Sequence, residues 1–155
     1  MRRAVLIFFT ALSFVAAAQA ADSGLEYRLK VQDGVPFAFD HGEEQFFSPL
    51  PFMTAADFES ARAQLSKNPN TPGDWEVVLT HTTIGRAKLH AVADADRSRE
   101  YCLVFHARLY QCLAFPPVVK GDYDRGITIS DRLTKEKAGQ IAREMAAEIR
   151  HARHD

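Results

Sequence analysis

The stretch YCLVFHARLYQC, residues 101–112, contains both cysteines of the chain. Aromatic and β-branched residues dominate on either side of the polar break His106-Ala107-Arg108, a pattern typical of two strands joined by a tight loop. A three-residue loop centred on Ala107 places Cys102 directly opposite Cys112 on one face of the hairpin, whereas a two-residue turn would misalign them. The stretch therefore predicts a β-hairpin whose strands a disulfide can join.

The first residues of the chain, MRRAVLIFFTALSFVAAAQA, have the pattern of a secretory signal peptide. Arg2 and Arg3 form a basic region, a short apolar run follows, and Ala18-Gln19-Ala20 matches the small-x-small rule for cleavage. We therefore expect a signal peptide over residues 1–20 and a mature protein that starts at Ala21 and is soluble in the periplasm or secreted. An uncleaved N-terminal anchor is the alternative.

In an oxidising compartment, two cysteines at this spacing most simply form a structural disulfide. A zinc site is a weaker alternative, because the spacing is not CxxC and His106 is the only nearby third ligand. A redox pair is also weaker, because no CxxC begins a helix that would lower a thiol pKa. We expect Cys102 and Cys112 to be bonded to each other, and we expect no metal and no cofactor.

Residues 21–155 are long enough for one domain with a sizeable core. Removing Arg2 and Arg3 lowers the formal net charge from −1 to about −3, far from the basic excess of a nucleic-acid-binding protein. The mature sequence has no polybasic patch and no second apolar run. We therefore expect neither nucleic-acid binding nor stable membrane insertion after the signal peptide is removed.

Hydrophobic periodicity predicts a mixture of strands and helices. Strands are predicted over Leu25–Val31, at Phe46-Phe47, over Trp75–Thr80, in the cysteine hairpin and over Ile127–Ile129. Helices are predicted from Thr54 with Asp57 as capping-box partner and Phe58, Ala61 and Leu65 on one face, over Ile84–Val92, and from Thr134 to Arg150 with an apolar stripe of Ala138, Ile141, Ala142, Met145 and Ile149. The elements do not alternate strictly as βαβ. The predicted fold is therefore α+β, a small mainly antiparallel sheet with about three helices packed on one face.

Four stretches, taken together, resemble the periplasmic head domain of the SecD/SecF protein-export subunits. They are TAADFESA (54–61), VVLTHTTIGRAKLHAV (77–92), the cysteine hairpin and ITISDRLTKEKAGQIA (127–142). The last is the most specific, because Ile129, Ser130, Thr134 and Ala138 match the family's strand, its serine and its threonine-capped helix. The resemblance covers most of the mature chain and implies a SecD/SecF head-like domain over residues 21–155.

The chain also departs from that family. Its hairpin has His106-Ala107-Arg108 where the family usually turns on Asp-Gly, and Asp131 stands where the family has glycine. Cysteines are not part of the family pattern, and no transmembrane helices accompany the domain. The resemblance therefore implies a free-standing head domain that engages polypeptide and has no catalytic residues.

No catalytic constellation stands out in the sequence. His81 and His90 are nine residues apart and are expected to face different sides, while His151 and His154 lie at the C-terminus, where chains fray. Adjacent strand residues point to opposite faces, so Glu43-Glu44 is a poor acid–base pair. No nucleophile elbow, HExxH zinc motif or phosphate-binding loop occurs. We therefore expect no enzymatic activity.

These observations predict an exported, non-enzymatic domain that binds another protein or polypeptide in the periplasm. A periplasmic immunity or inhibitor protein that blocks a toxin or hydrolase is the alternative, and a hydrolase of unfamiliar pattern is a third. The candidate contact surface is the Phe115–Gly126 segment with the hairpin tip, because exposed aromatic side chains are costly without a partner. Arg108, Tyr123 and Phe115 are the candidate contact residues.

Overall fold

The computed structural model describes residues 24–38, 42–67, 69–70, 72–115 and 127–154, with only the backbone of residues 130 and 131. These ranges contain eight strands, two α-helices and one short 3-10 turn. In chain order they are β1 (Glu26–Ala38), β2 (Glu44–Phe47), β3 (Met53–Thr54), the 3-10 turn (Ala55–Asp57), β4 (Phe58–Leu65), β5 (Trp75–His81), α1 (Thr83–Ala95), β6 (Glu100–Phe105), β7 (Arg108–Ala114), β8 (Ile127–Leu133) and α2 (Lys135–His151). The predicted signal peptide lies outside the described residues.

The strands form two antiparallel sheets where the sequence predicts one. The first sheet has the order β2-β1-β6-β7, with β3 also paired to β1, and the second has the order β4-β5-β8. Helix α2 packs against β4 and β5 of the second sheet. The α+β class is confirmed, but the prediction of about three helices is wrong, because the described residues contain two α-helices.

The missing helix is the one predicted from Thr54. Asp57 does accept a hydrogen bond from the Thr54 main-chain N–H, at 3.0 Å, but the turn that this bond closes is a single 3-10 turn. The chain then extends as β4, where the Ser60 hydroxyl lies 2.7 Å from a threonine hydroxyl of β5 and the Gln64 amide donates to a glutamate of β5 at 2.7 Å. Pairing with β5 therefore outweighs the helical spacing of the apolar residues.

The third predicted helix is confirmed as α2. Its first turn is capped by Thr134, whose hydroxyl oxygen accepts from the Lys137 N–H at 3.2 Å. The predicted apolar stripe is the buried face of the helix, formed by Ala138, Ile141, Ala142, Met145 and Ile149. Capping and periodicity agree here, and the tertiary structure preserves both.

The tip of the cysteine hairpin differs from its prediction. Phe105 pairs with Arg108, which leaves a two-residue turn, His106-Ala107, in place of the predicted three-residue loop. Both turn residues have positive φ, 49° and 59°, the geometry of a type I′ turn. Because neither residue is glycine or asparagine, this turn holds two side chains in the left-handed region that L-residues disfavour.

A β-bulge restores the pairing that a two-residue turn would have shifted. Tyr110 is the extra residue, inserted where the register of β6 and β7 changes. One additional residue on β7 moves the register by one position, so Cys102 faces Cys112 as predicted. Their Sγ atoms lie 1.97 Å apart, a disulfide distance.

The main core draws on both sheets and both helices, with Tyr27 of β1 near its centre. The Tyr27 ring lies 5.1 to 5.7 Å from the rings of Phe58, His81 and Tyr101. A smaller cluster occupies the other face of the first sheet, where Phe37, Phe47, Val35, Val104, Leu109 and both cysteines meet. The arm formed by the end of β1 and by β2 therefore covers the cysteine pair.

Candidate functional site

The structure does not bring together the two described residues of the contact surface predicted from the sequence, and residues 116–126 of that surface lie outside the described residues. Arg108 is exposed at the start of β7, whereas Phe115 follows the other end of that strand, so the two residues are separated by roughly 20 Å of extended chain. Phe115 is only 4% exposed and stacks on Tyr101 at 4.7 Å, so its side chain belongs to the core and not to an exposed loop. Tyr123 lies outside the described residues.

The histidines also fall in separate places. His81 is buried at the end of β5, with its Nε2 3.2 Å from the Tyr27 hydroxyl, and burial raises the pKa of that phenol well above its ordinary value. His90 is exposed on α1, and His151 and His154 are exposed at the end of α2. Within the described ranges, no group of three or more histidine, cysteine or acidic residues could hold a metal ion.

A cleft of about 420 Å³ opens between β4 and α2, in a part of the molecule to which the sequence had assigned no role. One wall is the strand and the other is the helix. The lining residues are Ala61, Arg62 and Ala63 from β4 and Gly139, Ala142, Arg143, Ala146 and Arg150 from α2. Small side chains therefore form most of the lining, with arginines at the strand wall and at two levels of the helix.

The cleft gives access to the main chain of an edge strand. Among the described residues, β4 pairs with β5 alone, so alternate main-chain N–H and C=O groups on its other side point away from the sheet. Ala61, Arg62 and Ala63 are consecutive and all line the cleft, although successive strand side chains point to opposite faces. A cleft on one face of the strand would be lined by every second residue. Because three consecutive residues line this cleft, it opens onto the edge of the strand.

Gly139 is the residue without a side chain on the helix wall of the cleft. A glycine inside a helix costs about 0.5–1 kcal/mol relative to alanine. A Cβ at Gly139 would meet, among the described atoms, only the mobile Arg143 guanidinium at 3.3 Å. Gly85 of α1 differs, because a Cβ there would overlap the Asp57 carbonyl oxygen. Internal packing therefore explains why position 85 is a glycine, but it does not explain the glycine at position 139.

The positive charges on the helix wall are available to a ligand. Arg143 and Arg150 are exposed, and in the part of the chain that the structure describes neither guanidinium takes part in a salt bridge or hydrogen bond. Arg153, one turn further on, is engaged, because it donates to the Phe58 carbonyl oxygen at 2.9 Å. That bond links the segment just after α2 to the first residue of β4.

Comparison with solved structures identifies the architecture. The fold resembles that of SecDF. Two structures, described as "Crystal structure of SecDF in Super-membrane-facing form" and "Structure and function of a membrane component SecDF that enhances protein export", match with TM-scores of 0.59 and 0.56, each at 19% sequence identity. The matches cover 79% and 81% of this chain but only 18% and 61% of the SecDF chains, as a head-like part of a larger protein would.

The structural similarity to SecDF agrees with the resemblance predicted from four stretches of the sequence. No protein-family model matches the sequence, and no curated protein does so either. The matched region is part of SecDF, and none of the helices in the described ranges combines the length and the apolar character that crossing a membrane requires. The comparison therefore supports the head-like fold.

Sequence reasoning missed the cleft because β4 was predicted to be a helix. A strand prediction alone would not have identified the open edge, because that edge follows from the sheet order β4-β5-β8. The arginines of α2 carry no local signal, because exposed basic residues are ordinary on helices. Only the tertiary contact of α2 with β4 brings Arg143 and Arg150 beside the strand edge.

Proposed function

We propose that this protein is an exported, non-enzymatic domain of the bacterial envelope that binds an extended polypeptide segment along β4. The observation that carries the proposal is the cleft between β4 and α2, which opens onto an edge strand. An extended segment that adds to such an edge gains main-chain hydrogen bonds whatever its sequence. Pockets beside the edge then discriminate among its side chains.

The lining of the cleft is compatible with strand addition. Neighbouring strands lie about 4.8 Å apart, so an added strand would lie beside β4 with half of its side chains directed toward α2. The alanines and Gly139 of the lining leave room for those side chains. Packing of α2 on the sheet and the bond from Arg153 to the Phe58 carbonyl hold the two walls together before a ligand arrives, which lowers the entropy cost of binding.

The resemblance to SecDF supports the proposal. One of the two similar structures is described as a membrane component that enhances protein export, a process that acts on polypeptides. No constellation of nucleophile, base and oxyanion donor stands out among the described side chains, which supports a binding role over a catalytic one.

Filling the cleft at Gly139 tests this function. A Gly139→Phe variant places a large side chain over the helix wall, while its matched control Gly139→Ala leaves the cleft open. The probe is a fluorescently labelled, reduced and carboxymethylated protein that cannot fold. We expect wild type and Gly139→Ala to bind it with similar affinity and Gly139→Phe to lose most of the binding. Equal binding by Gly139→Phe, with circular dichroism showing a folded domain, would exclude the cleft as the site.

The same variants separate this function from inhibition of an envelope enzyme. An inhibitor would form a tight one-to-one complex with a folded toxin or hydrolase and would use surface that is shaped for that partner. A stable complex of this kind that Gly139→Phe leaves intact would refute the proposal in favour of the immunity or inhibitor role.

A further inference from the structure

We infer that the cleft between β4 and α2 selects extended segments that carry acidic side chains at alternating positions on the face toward α2. This inference rests on the proposed function, because it takes the ligand to be an added strand and names the chemistry of that strand. Its basis is the charge of the helix wall and the spacing of its two arginines.

The helix wall is positively charged although the chain as a whole is not. The whole chain has a formal net charge of −1, yet Arg62, Arg143 and Arg150 all line this one cleft. None of the three forms a salt bridge or a hydrogen bond with any other described side chain. Some basic residues elsewhere on the surface are paired, as Lys30 is with Glu100 at 2.9 Å.

A structural role accounts for Arg150 but not for Arg143. Cations in the last turn of a helix are favourable toward its dipole, which covers Arg150 but not Arg143 in the middle of α2. Arginine is also the side chain best suited to carboxylates, because its planar guanidinium donates two parallel hydrogen bonds. Unpaired arginines beside an open strand edge therefore favour a ligand with carboxylates over an uncharged one.

The spacing of the arginines fits alternate residues of a strand. Arg143 and Arg150 are seven residues apart, which is about 10.5 Å along a helix. Side chains two and four residues apart on a strand share one face and are about 7 and 13 Å apart. These two distances bracket the arginine spacing, so flexible arginine side chains can reach carboxylates at either separation. A segment with acidic residues at every second position satisfies both arginines.

Two labelled peptides that differ only in charge test this inference. One alternates threonine with glutamate and the other alternates threonine with glutamine, so that both have the same strand pattern and side-chain size. An exposed carboxylate–guanidinium pair contributes about 0.2–1 kcal/mol, so two pairs should favour the glutamate peptide by about 2- to 30-fold. Raising the salt from about 0.01 M to about 1 M shortens the screening length from about 30 Å to about 3 Å, and this preference should then disappear.

Charge reversal tests whether Arg143 and Arg150 cause the preference for the glutamate peptide. The Arg143→Glu, Arg150→Glu variant should lose the preference for the glutamate peptide, and both positions are exposed, so the fold should survive. The control is Arg97→Glu, Arg99→Glu, which makes the same change of net charge on the loop after α1 and should keep the preference. If the control loses the preference equally, the effect is one of net charge and the inference is wrong.

The remaining outcomes separate the inference from the proposed function. Equal binding of both peptides, abolished by Gly139→Phe, would overturn the acidic preference and leave strand addition intact. Binding of the glutamate peptide that Gly139→Phe does not affect would overturn both, because the ligand would then lie elsewhere. A preference for the glutamate peptide that needs Arg143 and Arg150 and an open Gly139 is the result we expect.

Discussion

Replacing Ala107 by glycine should stabilise this protein. Ala107 is the second residue of the hairpin turn and has φ of 59°, a conformation that costs an L-residue with a Cβ about 1–2 kcal/mol. Glycine removes this cost in the folded state. Its greater freedom in the unfolded chain takes back about 0.5–1 kcal/mol. The net gain in the free energy of unfolding should therefore be about 0.5–1 kcal/mol, or about 2–4 °C in Tm for a domain of this size.

The matched control is the same chemical change at a position with ordinary helical geometry. Ala91 is exposed on α1, and Ala91→Gly should destabilise by about 0.5–1 kcal/mol. The same substitution is thus expected to stabilise at one position and destabilise at the other. This difference in sign separates the effect of the turn geometry from any general effect of introducing glycine. Urea unfolding followed by the fluorescence of Trp75, the single tryptophan, measures both.

A destabilising Ala107→Gly would refute the reasoning. The hairpin would then have no left-handed residue at this position, and the two-residue turn with its compensating bulge would be wrong. The facing arrangement of Cys102 and Cys112 would in that case have to come from the three-residue loop that the sequence predicts. Unchanged slopes of the urea transitions are needed for the comparison, since a change in slope would indicate an altered unfolded state.

Further outcomes follow from the cysteines, a tightly packed glycine and the N-terminus. Mass spectrometry without reductant should find two hydrogens missing from Cys102 and Cys112, and free alkylation of these cysteines in the native protein would contradict the bond. Replacing both cysteines by alanine should lower the free energy of unfolding by about 2–3 kcal/mol on the chain-entropy model. Gly85→Ala should destabilise the protein by more than about 1 kcal/mol, because the new Cβ would overlap main-chain atoms that cannot move aside. A neutral effect in urea unfolding would mean that α1 packs less closely than described. N-terminal sequencing of the exported protein should read ADSGLEY, with cleavage after Ala20, and a product that retains Met1 would disprove the signal peptide.

The sequence predicts best where local and tertiary preferences agree. In α2 the threonine cap and the apolar stripe specify the same helix that packing then buries, and the prediction holds residue by residue. In β4 they disagree: the cap forms one turn, and pairing with β5 decides the rest. The pairing of Cys102 with Cys112 was predicted correctly from an incorrect turn, because the bulge at Tyr110 compensates for the shorter loop.

The candidate site could not be predicted because its residues share no local pattern. The strand edge depends on which neighbour β4 lacks, and that is a property of the sheet order. The helix arginines indicate a binding site only because the fold places them beside that edge. The end of β1 was missed for a similar reason: Gly34 and Pro36 indicate a turn in isolation, but the chain continues there as an arm paired with β2.

The first described residues lie against the last turn of α2. A Cβ on Gly24 would contact the Glu148 carboxylate, and Gly24, Glu148 and Ala152 border one small cavity. Residues 24 and 152 thus lie close together, the arrangement that lets a domain be inserted into a loop of another protein without distortion. Joining residue 24 to residue 152 through a short linker should therefore yield a circular permutant that folds, with its new ends opened in the loop between β4 and β5.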